Sequence, residues 1–228
     1  IPSSALIITS LHTGYVQHID VQALGVIANT DEIQIFMDVL PGSFVHIGMP
    51  LARTVSLSKA RGEELASSNE KIIATLAIGV RRTFEHDPRF GLSVLSEIAS
   101  RALSPAVNDP GTAIDVIGRG VRSLTCWGTP KEPAAKIDAD CQHVYLRGLT
   151  VDDLFDDFFA PIARDGAGLV EVDLRMMKAL VSLAQINPAM FRGACTRHAE
   201  LLLKHANTAL VLEEDRHKLR AAARPLLH

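Results

Sequence analysis

Hydrophobic residues recur along this chain with two different periods. In residues 32–40, Ile33, Ile35, Met37 and Val39 alternate with Gln34, Phe36 and Asp38, a period of two that predicts a half-buried strand. Residues 15–19 alternate likewise, and Asp20 then supplies an N-cap for a short helix burying Leu24, Ile27 and Ala28. Pro41-Gly42 turns the chain, and residues 44–47 and 51–55 give two more short strands around Gly48-Met49-Pro50. Residues 59–68 read as a short polar helix. The apolar run 72–78 fits a buried strand or a helix, and Gly79 at its end favours the strand.

Beyond this point the period lengthens to that of helices. Asp87-Pro88 pairs an N-cap carboxylate with a proline suited to the first helical position, opening a helix over 88–103 with Leu92, Leu95, Ile98, Ala99 and Ala102 inward. Asp109-Pro110 repeats the device for a helix carrying Ile114, Ile117, Val121 and Leu124 on one stripe and Asp115 four residues before Arg119 on another. The two helices are expected to pack as a hairpin about the joint at 103–109. Residues 128–140 read as a loop and 143–147 as a strand. Thr150 with Asp153 makes a capping box for a helix bearing Leu154, Phe155, Phe158 and Ile162, which Pro161 should kink or end. Helices follow over 170–184, with Leu174, Met177, Leu180 and Val181 on its apolar face, and from Asn187-Pro188 to about residue 222, broken near Asn207. The fold class is therefore α+β: a small β-rich unit at 1–57, hairpin-like or barrel-sandwich-like, packed on a mainly helical body at 58–228, as two domains or one continuous one.

Composition narrows the function classes. A net charge of −3 over 228 residues, with 5% aromatic residues, offers neither a basic field nor stacking platforms, so no nucleic-acid partner is expected. Cys126, Cys141 and Cys195 are odd in number and unpaired in spacing, which points to a reducing compartment. The longest apolar run, at 72–80, is too short to cross a bilayer. A start without Met, on an apolar Ile-Pro, suggests a piece of something longer.

Three places could hold chemistry. Cys195 and His198 stand one helical turn apart with His205 further along the face, but a closed zinc site needs four ligands, so no metal is expected. Asp152, Asp153, Asp156 and Asp157 make i,i+4 carboxylate pairs, best read as a solvated face at a helix start. The richest set is Arg81, Arg82, Thr83, His86 and Asp87 with Arg101, Ser104, Asn108 and Asp109, which the helical hairpin would gather. Its arginines and helix starts could bind a phosphate or carboxylate, with His86 beside Asp87 or Asp109 as an acid–base pair. In the structural reading Arg82 or Arg101 satisfies the aspartates and Asn108 ties the loop backbone. No activated nucleophile accompanies the set, so no catalytic residue is assigned.

The string from Gly42 to Leu51 resembles the closing hairpin of lipoyl-like and barrel-sandwich modules, but the carrier lysine is missing, Lys59 being the first lysine, so no cofactor is expected. A broader resemblance is carried by ordered strings: Gly14-Tyr-Val-Gln-His-Ile-Asp20, Pro41-Gly-Ser-Phe-Val45, Gly48-Met-Pro-Leu51, Arg82-Thr83, Asp87-Pro-Arg-Phe-Gly-Leu92, Ala102-Leu-Ser-Pro-Ala-Val-Asn-Asp-Pro110 and Thr112-Ala113. Together they resemble the uncharacterised bacterial predicted-membrane-protein family called domain of unknown function 2254, from about Gly14 to Leu124; beyond Lys131 the likeness is in helical pattern alone. The resemblance implies a soluble C-terminal portion, on the cytoplasmic side of a bacterial inner membrane, following membrane-spanning segments that are absent from this chain. The expected role is non-enzymatic: structural, regulatory or oligomerising, in the service of transport, with the membrane segments and further copies of the chain as partners. The alternative is a ligand-sensing or hydrolytic domain acting on an anionic small molecule at Arg81, Arg82, Asp87, Asn108 and Asp109.

Overall fold

The structure, a computed structural model, describes residues 5–57, 62–129 and 141–227. The chain divides into two compact units, one of residues 1–90 and 132–148, the other of 91–131 and 149–228. The strand-rich unit thus runs past residue 57, the expected boundary, and takes in a later segment.

In that unit the described order is β1 (Leu6–Thr9), β2 (Gly14–Ile19), α1 (Val21–Thr30), β3 (Ile33–Met37), β4 (Phe44–Val45), β5 (Pro50–Ser56), α2 (Gly62–Ala74), β6 (Leu76–Gly79) and, much later, β7 (Val144–Tyr145). Two sheets form, with strand orders β1-β5-β3-β7 and β4-β2-β6. The period-two pattern of β3 is realised, with Ile33, Ile35 and Met37 buried. They join Val16, Leu24, Val45, Leu51 and Ile72 in one apolar core. Asp20 caps α1 by accepting from the Ala23 amide at 2.9 Å.

Three expectations change here. Because β4 pairs with β2 while β5 pairs with β1 and β3, the Gly48 turn carries the chain from one sheet to the other and closes no hairpin. The run 72–78 is split: α2 continues through Ala74, the Thr75 hydroxyl closes its end on the Ile72 carbonyl at 2.7 Å, and only Leu76 to Gly79 is strand. The expected helix start at Lys59 lies outside the described residues. Strand β1 was not foreseen, because its run Leu6-Ile7-Ile8 shows no alternation and, at a sheet edge, leaves Leu6 and Ile7 exposed.

The second unit holds α3 (Pro88–Ala102) from Gly91 onward, α4 (Pro110–Gly128), α5 (Val151–Asp165), α6 (Val170–Ile186), α7 (Pro188–Ala209) and α8 (Glu213–Leu227). Side-chain caps start α4, α5 and α7: Asp109 accepts from the Thr112 amide, Thr150 from Asp153 and Asn187 from Met190. Asn187 also donates to the Gly128 carbonyl at 2.8 Å, tying the end of α4 to the start of α7. Helix α6 is central, packing on α4, α7 and α8, around a core rich in Phe155, Phe158, Phe159 and Phe191. Gly120 and Gly128 give α4 a bare face: a Cβ there would fall 2.0 Å from the Phe158 ring and 2.2 Å from the Phe191 ring.

Details again depart from the pattern. Helix α4 packs most extensively on α6, and not, as expected of a hairpin, on α3. Ile98 is exposed, while Ser96 is buried and donates to the Phe158 carbonyl at 3.1 Å. Helix α5 runs through Pro161 to Asp165, and the break in the last helical stretch falls at residues 210–212. The expected loop lies mostly in 130–140, outside the described residues, since α4 reaches Gly128.

Candidate functional site

In the strand-rich unit, Arg82 and Asp87 stand only five residues apart, on the turn between β6 and α3. The guanidinium reaches back along both carboxylate oxygens: Arg82 Nε donates to Oδ2 at 2.7 Å and Nη2 to Oδ1 at 3.0 Å. The same Oδ1 accepts the Phe90 amide at 3.0 Å, so Asp87 also caps α3. Asp87 is 2% exposed and Arg82 lies 5.0 Å over the Phe90 ring, with Phe84 stacked beyond it. Gly42 covers the carboxylate. Its φ of +90° is one that side chains rarely adopt, and a Cβ would fall within 2.2 Å of Asp87 Oδ2. The Pro41-Gly42 turn therefore requires its glycine for two independent reasons.

The neighbours in sequence do other things. Arg81 is exposed and its carbonyl accepts from Gln17 Nε2 at 2.7 Å, an extension of the β2–β6 pairing. Thr83 is half-buried in the same turn. His86 lies against His18, ring centroids 4.6 Å apart and planes tilted by 44°, and both rings are exposed. The His18 contact was invisible in sequence because it depends on β2 lying beside β6.

The remaining candidates belong to the helical unit. Ser104 donates to the Arg101 carbonyl at 2.7 Å, Asn108 takes φ +46° with its amide on the Ser104 carbonyl, and the Asp109 amide returns to Ala102. The Thr112 hydroxyl and amide, at 2.5 and 3.1 Å, hold the Asp109 carboxyl below the usual carboxylate range. Arg82–Asp87 in the strand-rich unit and Ser104–Asp109 in the helical unit are each held by bonds within their own turn. Arg101 lines a groove of about 520 Å³ whose other walls include Ser93, Ser100, Asp157 and Arg164.

No group of three or more metal-ligating side chains occurs among the described residues. Burial pushes the Cys195 thiol up to about 12, far from a reactive thiolate. His198 is fully buried near the Phe155 and Phe159 rings, with Nε2 3.2 Å from Asp156 Oδ1 but not in a well-directed hydrogen bond. Arg197 grips Asp152 at 2.9 Å and Asp156 at 2.8 Å, so half of the acidic face is bridged from α7.

Burial depresses His198 to about 4 from its ordinary 6.5. Between those values the unfolded chain binds a proton that the folded chain refuses, so this histidine costs stability as pH falls. Urea unfolding of His198→Leu against the parent should therefore shift in the variant's favour by about 3 kcal/mol between pH 7 and pH 4. A constant difference would place His198 in a wetter setting.

One buried group escaped notice in the sequence. Asp173 falls on the stripe of Leu169, Met177 and Leu180, and a carboxylate in phase with apolar residues was the signal.

Comparisons with known proteins bear on the whole chain. It belongs to the family described as "Predicted membrane protein (DUF2254)", whose match covers residues 1–182 and so extends beyond the strings at 14–124. The chain is 34% identical over 116 residues to the uncharacterized protein Rv1290c of Mycobacterium tuberculosis, a match spanning 51% of this chain and 22% of that relative. The uncharacterized protein Mb1321c of Mycobacterium bovis matches with the same identity and coverage. No solved structure matches the chain. Among the described residues no helix is long and apolar enough to cross a membrane.

Proposed function

We propose that this chain, as a member of a family of predicted membrane proteins, is an extramembrane domain of a multi-span bacterial inner-membrane protein, lying on the cytoplasmic side. Family membership is the observation that carries the reading. The membrane-spanning segments are its first partner, in the part of the protein that the short match to the long relatives leaves uncovered. Three free cysteines, one of them exposed, support the reducing face. Its role is structural or regulatory, and it assembles with further copies of itself; the apolar edge strand β1, with Leu6 and Ile7 exposed, supports such pairing.

Within this reading the Arg82–Asp87 group is a clasp and not an anion site. Both carboxylate oxygens and two guanidinium nitrogens are already committed to each other, which leaves a phosphate or carboxylate to compete with an ion pair in place.

The test uses the full-length protein with a reporter fused at its C terminus. Green fluorescent protein should fluoresce and alkaline phosphatase should be inactive. Active phosphatase with a dark fluorescent fusion would overturn the cytoplasmic placement. Light scattering on the purified chain should give a mass above that of one copy, and a strictly monomeric result removes the assembly role.

A further inference from the structure

Asp173 stands in the first turn of α6, in the interior of the helical unit. It is 1% exposed, and neither carboxylate oxygen has a hydrogen-bond partner among the described residues. Its neighbours Val172, Met176 and Met177 are buried and apolar. The helix start gives little help: its N-cap is Leu169, which offers no side chain to the first-turn amides, and the Asp173 amide is bonded to the Leu169 carbonyl. An ionised carboxylate so placed would have lost its water and gained nothing in return. The turn before it, residues 166–169, contains Gly166 and Gly168. Gly166 is tightly packed, 2.9 Å from Val172 Cγ1 to a built Cβ, whereas Gly168 has open space around it.

We propose that Asp173 is a proton-gated latch: α6 keeps its first turn docked in the core while Asp173 is protonated, and losing that proton releases the turn on its glycine hinge. From α4, α5, α7 and α8, which pack on α6, no charged group among the described residues adds a field at Asp173; Glu171, on its own helix, is the one that does, and it opposes ionisation.

The sign follows from the two states. Burial, seconded by Glu171, raises the folded-state value to about 8 from the ordinary 3.8. Below 3.8 both docked and released forms hold the proton, and pH has no grip. Between 3.8 and 8 the released form gives up its proton and the docked form keeps it, so release becomes more favourable by about tenfold per pH unit. Above 8 both are ionised and the effect levels off. The window includes neutral pH, where a change of one unit moves the open population by an order of magnitude.

Hydrogen exchange of the 170–173 amides, corrected for the intrinsic rate, should show the opening constant rising about tenfold per unit from pH 6 to pH 8 in the parent chain and staying flat in Asp173→Asn. Equal pH dependence in the two proteins overturns the latch, as does a variant that opens more than the parent at pH 8. Should Asp173→Asn not fold, ¹³C titration of the carboxyl in the parent decides alone: a midpoint near 4 overturns the proposal, and one near 8 supports it.

Discussion

Arg82→Ala is expected to lower stability by about 3–5 kcal/mol, because it strands a carboxylate that water cannot reach. Asp87 is 2% exposed and Gly42 sits on its outer face, so the vacated volume does not hydrate the charge freely. What remains is the Phe90 amide, one donor where there had been three. The converse change, Asp87→Asn, keeps the cap acceptor and leaves a guanidinium that is 24% exposed and rests on an aromatic ring, so it should cost less. The double variant should recover part of the loss, since it removes the stranded charge. Urea unfolding of the four proteins at pH 7 gives the cycle. A wild-type midpoint for Arg82→Ala would dismiss the clasp and revive the anion site, and a screen of phosphates and carboxylates for thermal shifts would then be the next experiment.

The second large effect is expected at Gly120→Ala. A single added methyl would lie 2.0 Å from Phe158 Cζ and 2.3 Å from Cε1, and Phe158 is itself fully buried against the Phe159 ring. Alanine normally favours a helix over glycine by about 1 kcal/mol, so the sign of the substitution separates local preference from packing. Overpacking of this kind costs about 1–3 kcal/mol, more where the backbone must move. Combining it with Phe158→Leu, which shortens the obstructing side chain, should cost less than the two single changes added together. Additive losses would show that α4 and α5 adjust independently at this contact.

What the sequence disclosed depended on how far each interaction reaches along the chain. Caps span three residues, and Asp20, Asp109, Thr150 and Asn187 all occupy the roles their spacing predicts. Alternation is equally local, which is why the buried face Ile33, Ile35 and Met37 of β3 was legible, although the strand ends at Met37, short of the expected residue 40. The Arg82–Asp87 pair, five residues apart, could be anticipated for the same reason. The His18–His86 contact, the Gln17 bond to Arg81 and the division of β4 and β5 between sheets all follow from strand pairing, which no single segment encodes. The 72–78 run was misjudged because an apolar stretch of that length satisfies either period, and the deciding group was the Thr75 hydroxyl. Ser96 and Asp173 share another lesson, that a polar residue in phase with a core stripe goes inside with it.

The late strand β7 has a consequence for the order of synthesis. It pairs in parallel with β3, Val144 beside Phe36's neighbour Ile35, so the two partners leave the ribosome about 110 residues apart. At roughly 5–20 residues per second that is a delay of about 5–20 s, during which β3 presents an unpaired edge to every other nascent chain nearby. The Phe36–Tyr145 stack, rings 4.6 Å apart, then closes that edge from a segment translated after α4 is already complete. Maturation of the first unit is thereby made contingent on translation having passed well into the second.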